Sequence, residues 1–217
     1  NWVTLGGLNL IGVGTNTKFY IENGGAYYDV TPIRTTVTLG TDPFTANGTT
    51  TVTVSATLHG ATTGTFVTFS GATGTYASTL NAEYQITVVN ANSYTITTPT
   101  ALSAGSYGGS SVSAAYQVNA GPAYAVPLTG WGSGTWGSGT WGTGTASTIA
   151  LQLWNQVNYG EDLIYGPRGG GIYYWDATSG VNTRGVLLNS KGGTVTFTNA
   201  SPTVVDRKST RLNSSHT

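Results

Sequence analysis

Short runs of alternating side chains recur along this chain, each cut off by Gly, Asn or Ser. Thr51-Val52-Thr53-Val54-Ser55, Glu83-Tyr84-Gln85-Ile86-Thr87-Val88 and Ser93-Tyr94-Thr95-Ile96-Thr97 are the clearest. A period of two places Val52 with Val54, Tyr84 with Ile86 and Val88, and Tyr94 with Ile96 on single faces, as half-buried strands require. No window shows the 3.6-residue period of an amphipathic helix. The pattern therefore confines the chain to an all-β fold of short strands and tight turns.

Composition narrows the chemistry. Charged residues are 7% of the 217, against about a quarter in ordinary globular domains. The absence of Cys excludes disulfides, thiolate metal sites and a Cys nucleophile. There is no Met either, so Asn1 is not expected to be a natural start and the chain reads as a fragment or a processed product. No apolar run approaches the roughly 18 residues of a membrane span. Leu8 to Val13, the longest apolar-rich patch near the start, is broken by Asn9 and Gly12.

Asp206 to His216 resembles a translated sequencing adapter, and residues 206–217 are expected to be a non-native tail. Without Asp206, Arg207, Lys208 and Arg211, eight basic residues fall to five and eight acidic residues to seven, a net of −2. No basic patch survives to attract phosphates, so no nucleic-acid partner is expected.

The organisation reads as five parts. Residues 1–36 open a main β domain, with Leu8–Val13 and Lys18–Ile21 as strands and Asn23-Gly24-Gly25 as a turn that accepts positive φ. Residues 37–119 form a separate small β-barrel or sandwich, with further strands at Phe66–Phe69 and Ser111–Tyr116 and a turn at Asn90-Ala91-Asn92. Residues 120–148 are a Gly/Trp-rich linker, and residues 149–205 return to the main domain through strands at 149–154, 163–165, 171–175, 185–188 and 194–198. The fifth part is the tail. The linker repeats one pentapeptide three times, at Trp131, Trp136 and Trp141. An odd period alternates the Trp residues between the faces of a strand, so a loop pinned by aromatic anchors is expected, with a stacking surface for sugars or a subunit as the sharper reading.

The densest charge lies in Asn158–Asp176. Glu161 and Asp162 are adjacent, so on a strand they point to opposite faces, poor geometry for a general acid and base across one bond. Arg168 is expected within reach of either, which makes this a structural hairpin, and Asp176 is expected to be a turn acceptor. His59 is the one histidine before the tail and has no metal-site spacing. Gly6-Gly7, Gly12 and Gly14 form no dinucleotide fingerprint, and Gly169-Gly170-Gly171 is no phosphate loop. Asn47-Gly48-Thr49 and Asn199-Ala200-Ser201 match the N-glycosylation pattern but read as turns. No catalytic, cofactor or metal site is expected.

Two phrases carry a resemblance. "GVGTNTKFYIENGGAYYDVTPIR" and "WNQVNYGEDLIYGPRGGGIYYWD" resemble segments of tailed-bacteriophage tail or tail-hub proteins, with Val30 where Ile is usual. The module between them is similar to the small inserted β domain named after the first catalytic-cysteine half-domain of ubiquitin-activating enzymes. The carrying phrases are His59-Gly60-Ala61, Phe66–Gly71, Leu80–Ile86 and Asn92–Ile96, and Gly64-Thr65 stands where Gly-Asp is common. The resemblance implies an incomplete, propeller-like antiparallel sheet domain interrupted by an insert. It implies a non-enzymatic virion component that assembles with other virion proteins and with copies of itself, through contacts such as Trp131, Trp136 and Trp141. A host-receptor or glycan-binding module is the alternative, and an enzyme degrading host polysaccharide would need carboxylates facing one cleft.

Overall fold

The computed structural model describes residues 1–121 and 152–191. They are nearly all β, in four antiparallel sheets, none closed into a barrel. The chain divides into two compact units, the first made of Asn1–Thr35 and Leu153–Thr217, the second of Thr36–Gln152.

The first unit begins with β1 (Trp2–Val3), β2 (Asn9–Gly14), β3 (Phe19–Asn23) and β4 (Ala26–Asp29), paired in chain order. Asn23 pairs with Ala26, so Gly24 and Gly25 form a two-residue hairpin loop, at φ 61° and 88°. Positive φ at both central residues is the type I′ requirement that Gly meets without a steric cost. Leu10, Phe19 and Ile21 line one face and are buried.

The second unit holds β5 (Ile33–Thr38), which crosses the unit boundary, then β6 (Phe44–Ala46), β7 (Thr51–Ser55), β8 (Phe66–Ser70), the single helical turn α1 (Ala77–Leu80) and β9 (Glu83–Gln85). β10 (Thr87–Asn90), β11 (Ser93–Thr97), β12 (Gly105–Tyr107) and β13 (Ser113–Gln117) complete it. The sheets run β10-β11-β7-β6-β12 and β5-β13-β8-β9. Phe44, Val52, Val54, Tyr94 and Ile96 from the first join Val67, Phe69, Tyr84, Ala114 and Tyr116 from the second in one buried cluster. Of barrel and sandwich, the outcome is a sandwich. Phe44 and Phe69 meet across it edge to face at 5.0 Å, and the hydroxyls of Tyr94 and Tyr116 bond at 2.9 Å. The other face of the five-stranded sheet carries a row of hydroxyls, Ser106–Thr45–Thr53–Thr95–Thr87, one from each strand.

One strand expected from the sequence is two in the structure. Glu83–Val88 alternates without a break, yet the chain leaves the β8 sheet after Gln85 and pairs with β11 from Thr87. Ile86 stands at the corner, buried, its N–H bonded to Thr65 O at 3.0 Å and its carbonyl accepting from Gly64 N at 2.8 Å. Alternation survives such a switch because the same face stays turned to the core.

The first unit resumes with β14 (Trp154–Tyr159), β15 (Asp162–Pro167), β16 (Tyr173–Trp175) and β17 (Val186–Leu187), again paired in chain order. Of the strand expected at 149–154, residues 149–151 lie outside the described residues, as does the strand expected at 194–198; β14 begins at Trp154. Tyr159 pairs with Asp162 around Gly160, whose φ is 65°. Both four-stranded sheets of this unit thus have the up-and-down order of a propeller blade, and no ring closes among the described residues.

Candidate functional site

Asp29, at the end of β4, gathers four hydrogen bonds on its carboxylate. Its Oδ2 accepts from Lys18 Nζ at 2.7 Å and from Arg184 NH2 at 3.1 Å, and its Oδ1 accepts from Arg184 NH1 at 3.2 Å and from Thr31 N at 2.9 Å. Arg184 NH1 also donates to Thr31 O at 2.6 Å, and the Thr31 hydroxyl accepts from Phe19 N at 2.9 Å. Lys18 and Thr31 are buried. Burial alone would raise the Asp29 pKa, but the bonds from Lys18 and Thr31 and the charge of Arg184 outweigh it and hold the carboxyl below its ordinary 3.8. The clamp joins residues 155 positions apart.

Aromatic rings and two glycines complete the joint. Phe19 lies 4.6 Å from the ring of Tyr165 and 5.1 Å from that of Trp154, and Trp2 meets Trp175 edge to face at 6.1 Å. Trp154 Nε1 donates to Thr15 O at 2.7 Å. A Cβ on Gly14 would stand 2.3 Å from Trp154 Cδ1, and one on Gly12 1.8 Å from Gln156 Oε1. The Gly12-Val13-Gly14 phrase is therefore a bare floor on which β14 lays its inward side chains. The Tyr165 hydroxyl donates to Val30 O and accepts from Gly185 N at 3.2 Å; burial pushes that phenol far above its ordinary range.

The acidic hairpin is wired differently from its sequence reading. Glu161 lies in the β14–β15 turn and not on a strand; its Oε2 accepts from Leu5 N at 2.8 Å and its carbonyl from Trp2 Nε1 at 2.8 Å. Asp162 accepts from Ala177 N at 2.9 Å and from the Tyr174 hydroxyl. That bond pushes the Tyr174 pKa up to about 12. Arg168 forms no ion pair with Glu161 or Asp162. It follows the far end of β15, a strand of six residues, and at about 3.3 Å per residue the turn is out of reach. Its backbone N–H bonds Leu153 O at 2.7 Å, and its side chain is exposed. Asp176 caps the short 3-10 turn Ala177–Ser179, accepting from Thr178 N at 2.9 Å. Trp131, Trp136 and Trp141 lie outside the described residues, as does the tail at 206–217.

His59, in the second unit, is buried against Tyr94 and Tyr116. Its Nδ1 accepts from Ala61 N at 3.1 Å while Nε2 meets Asn90 O at 2.9 Å, which makes Nε2 the protonated nitrogen. It is a core pin for the Ala91 turn. Among the described residues no three of His, Asp and Glu lie close enough to hold a metal, and no helix is long and apolar enough to cross a membrane.

The sequence singled out Asn158–Asp176 for its charge and missed Lys18, Asp29 and Arg184. The available signal was scarcity: a chain this poor in charge placed a Lys and an Asp inside one of its two most particular phrases.

No protein-family model matches the chain, and no curated protein matches it. Among solved structures, the phage phi92 endosialidase is similar over 83% of this chain at 16% identity, with a TM-score of 0.34. The chain spans 29% of that protein's length.

Proposed function

We propose that this chain is part of a non-enzymatic structural protein of a tailed-phage virion, of tail or hub type, working by assembly with other virion proteins and with its own copies. In this reading residues 37–119 are an insert in the main β domain. The observation that carries it is the use to which the two phage-like phrases are put. Gly12, Gly14, Thr15, Phe19 and Val30 from one meet Trp154, Gln156 and Tyr165 from the other in a single joint across more than a hundred residues of chain. Those residues build a packed frame held by directional bonds, which supports the reading of an assembly component.

Peptide mass spectrometry of density-purified particles from a culture carrying the gene tests this. Peptides of the chain are expected in a fixed ratio to tail proteins. Their presence in the lysate and absence from intact particles overturns the reading.

A further inference from the structure

Two Asn-Gly pairs occur in the chain, Asn23-Gly24 and Asn47-Gly48. Such a pair has a reaction of its own. The glycine nitrogen, unshielded by any side chain, reaches the carboxamide carbon of the asparagine and closes a cyclic imide. In a folded chain the reaction depends on where the carboxamide points and on what meets the charge that develops on its oxygen. The two pairs differ in both respects.

Asn23 closes β3 and pairs with Ala26 across the Gly24-Gly25 loop. On an extended strand a side chain stands off the sheet, away from the next peptide nitrogen. Asn47 lies just past the end of β6, exposed, in the connection to β7. Its side chain is folded forward over the Gly48 peptide, because its Oδ1 accepts from the Thr49 hydroxyl at 2.7 Å. Gly48 has φ 89°, and nothing stands within 4 Å of where its Cβ would be, so the approach is open. Thr49 is itself held. Its hydroxyl accepts from Thr51 N at 3.2 Å, its carbonyl accepts from Leu102 N at 3.2 Å, and the Thr50 carbonyl accepts from Thr98 N at 2.8 Å. Of the two oxygens this hydroxyl reaches, Asn47 Oδ1 is nearer than Thr51 O, which lies at 3.3 Å. A donor fixed on a carbonyl oxygen before attack stabilises the oxyanion that attack creates.

We propose that Asn47 is a self-modification site, with the Thr49 hydroxyl as its oxyanion donor. The Gly48 nitrogen bonds to Asn47 Cγ, the Cγ–Nδ2 bond breaks, and the proton from Gly48 N leaves with the amide nitrogen as ammonia. Water then opens the imide at either carbonyl and leaves aspartate or isoaspartate. Both products are carboxylates. Residues 36–121 hold Asp42 and Glu83 and no Lys or Arg, so the reaction adds a charge of the sign already present. The isoaspartate also lengthens the backbone between β6 and β7, next to the bonds from Leu102 and Thr98 that hold this connection. The proposal is independent of the virion reading.

Timed incubation of the full folded chain in mildly alkaline buffer tests it, read by peptide mass spectrometry that separates asparagine, aspartate and isoaspartate. Asn47 is expected to convert well ahead of Asn23, a comparison that needs no variant. Thr49→Val is expected to slow Asn47 about tenfold, short of the roughly hundredfold loss when an enzyme is stripped of an oxyanion donor, and to leave Asn23 unchanged. Thr49→Ser, which keeps the hydroxyl, is expected to convert like the wild type. Circular dichroism checks that both variants are folded. In concentrated urea, where nothing holds Thr49 against Asn47, the wild type and Thr49→Val are expected to convert at one rate. An Asn47 that outlasts Asn23 overturns the proposal. So does a folded Thr49→Val protein that converts as fast as the wild type, or a Thr49→Val deficit that persists in urea.

Discussion

In the second unit the two sheets meet through one apolar cluster, whereas in the first they meet through stacked rings, two bare glycines and a charged clamp. Strands are short and antiparallel in both, so the difference lies in what each face has to join. The second unit draws its core from one continuous stretch of chain, and nonpolar contact dominates it, with the Tyr94–Tyr116 hydroxyl bond added across the sheets. The first joins segments separated by more than a hundred residues, and its contacts are directional: Arg184 to Asp29, Trp154 to Thr15, Tyr165 to Val30. Directional bonds fix one register where apolar contact alone tolerates several. The two units should consequently fail under different substitutions.

Phe69→Ala tests the apolar side. The ring is buried between Phe44 and Tyr84, and its removal leaves a cavity that should cost about 3–5 kcal/mol. Calorimetry with hydrogen exchange is expected to place that loss in residues 36–121 and to leave the first unit unchanged. Asp29→Ala tests the other side. It strands the Lys18 ammonium, in a residue that is 7% exposed, together with the Arg184 guanidinium, and breaking such a pair costs about 3 kcal/mol. Exchange should rise in residues 1–35 and 153–191 alone. Equal loosening of both units by either variant would break the contrast.

Gly14→Ala sharpens it further. The added methyl meets an indole wedged between Phe19 and Tyr165 and tied to Thr15, which cannot swing away, so overpacking of about 1–3 kcal/mol is expected. Gly12→Ala should cost less, because its closest clash is with the end of the Gln156 side chain and the Phe19 ring stands farther off, at 2.9 Å. Thermal melting of the two variants checks the order, and the reverse order would mean that Trp154 is not fixed.

How far these features could be read in advance follows from their range. The strands Thr51–Ser55 and Ser93–Thr97 were legible because period-two alternation is local, and the Gly24-Gly25 turn because only a pair of glycines takes that φ cheaply. The Ile86 corner was not, since a strand that changes sheets keeps its alternation. The same limit applied to charge. Glu161 and Asp162 drew attention as neighbours in sequence, but their partners are backbone groups and a tyrosine. The Asp29 clamp depends on Arg184, and no periodicity announces a contact across 155 residues.

The smallest effect is the most specific. The folded Asp29 carboxyl titrates below its ordinary 3.8, so protons bind it more weakly in the folded state than in the unfolded chain. Its contribution is therefore complete above pH 3.8 and disappears as the pH falls through the lower folded value. In the second unit Asp42 accepts from Gly109 N, and Glu83 from Gln117 and Thr68, at or near the surface. Acid titration followed by residue-resolved exchange should open the first unit over that window, ahead of the second. Asp29→Asn, already weakened at neutral pH, should lose this acid step in the first unit and retain whatever slope the second unit has. If the step persists in the variant, another carboxylate carries it, and the clamp is not what distinguishes the two units in acid.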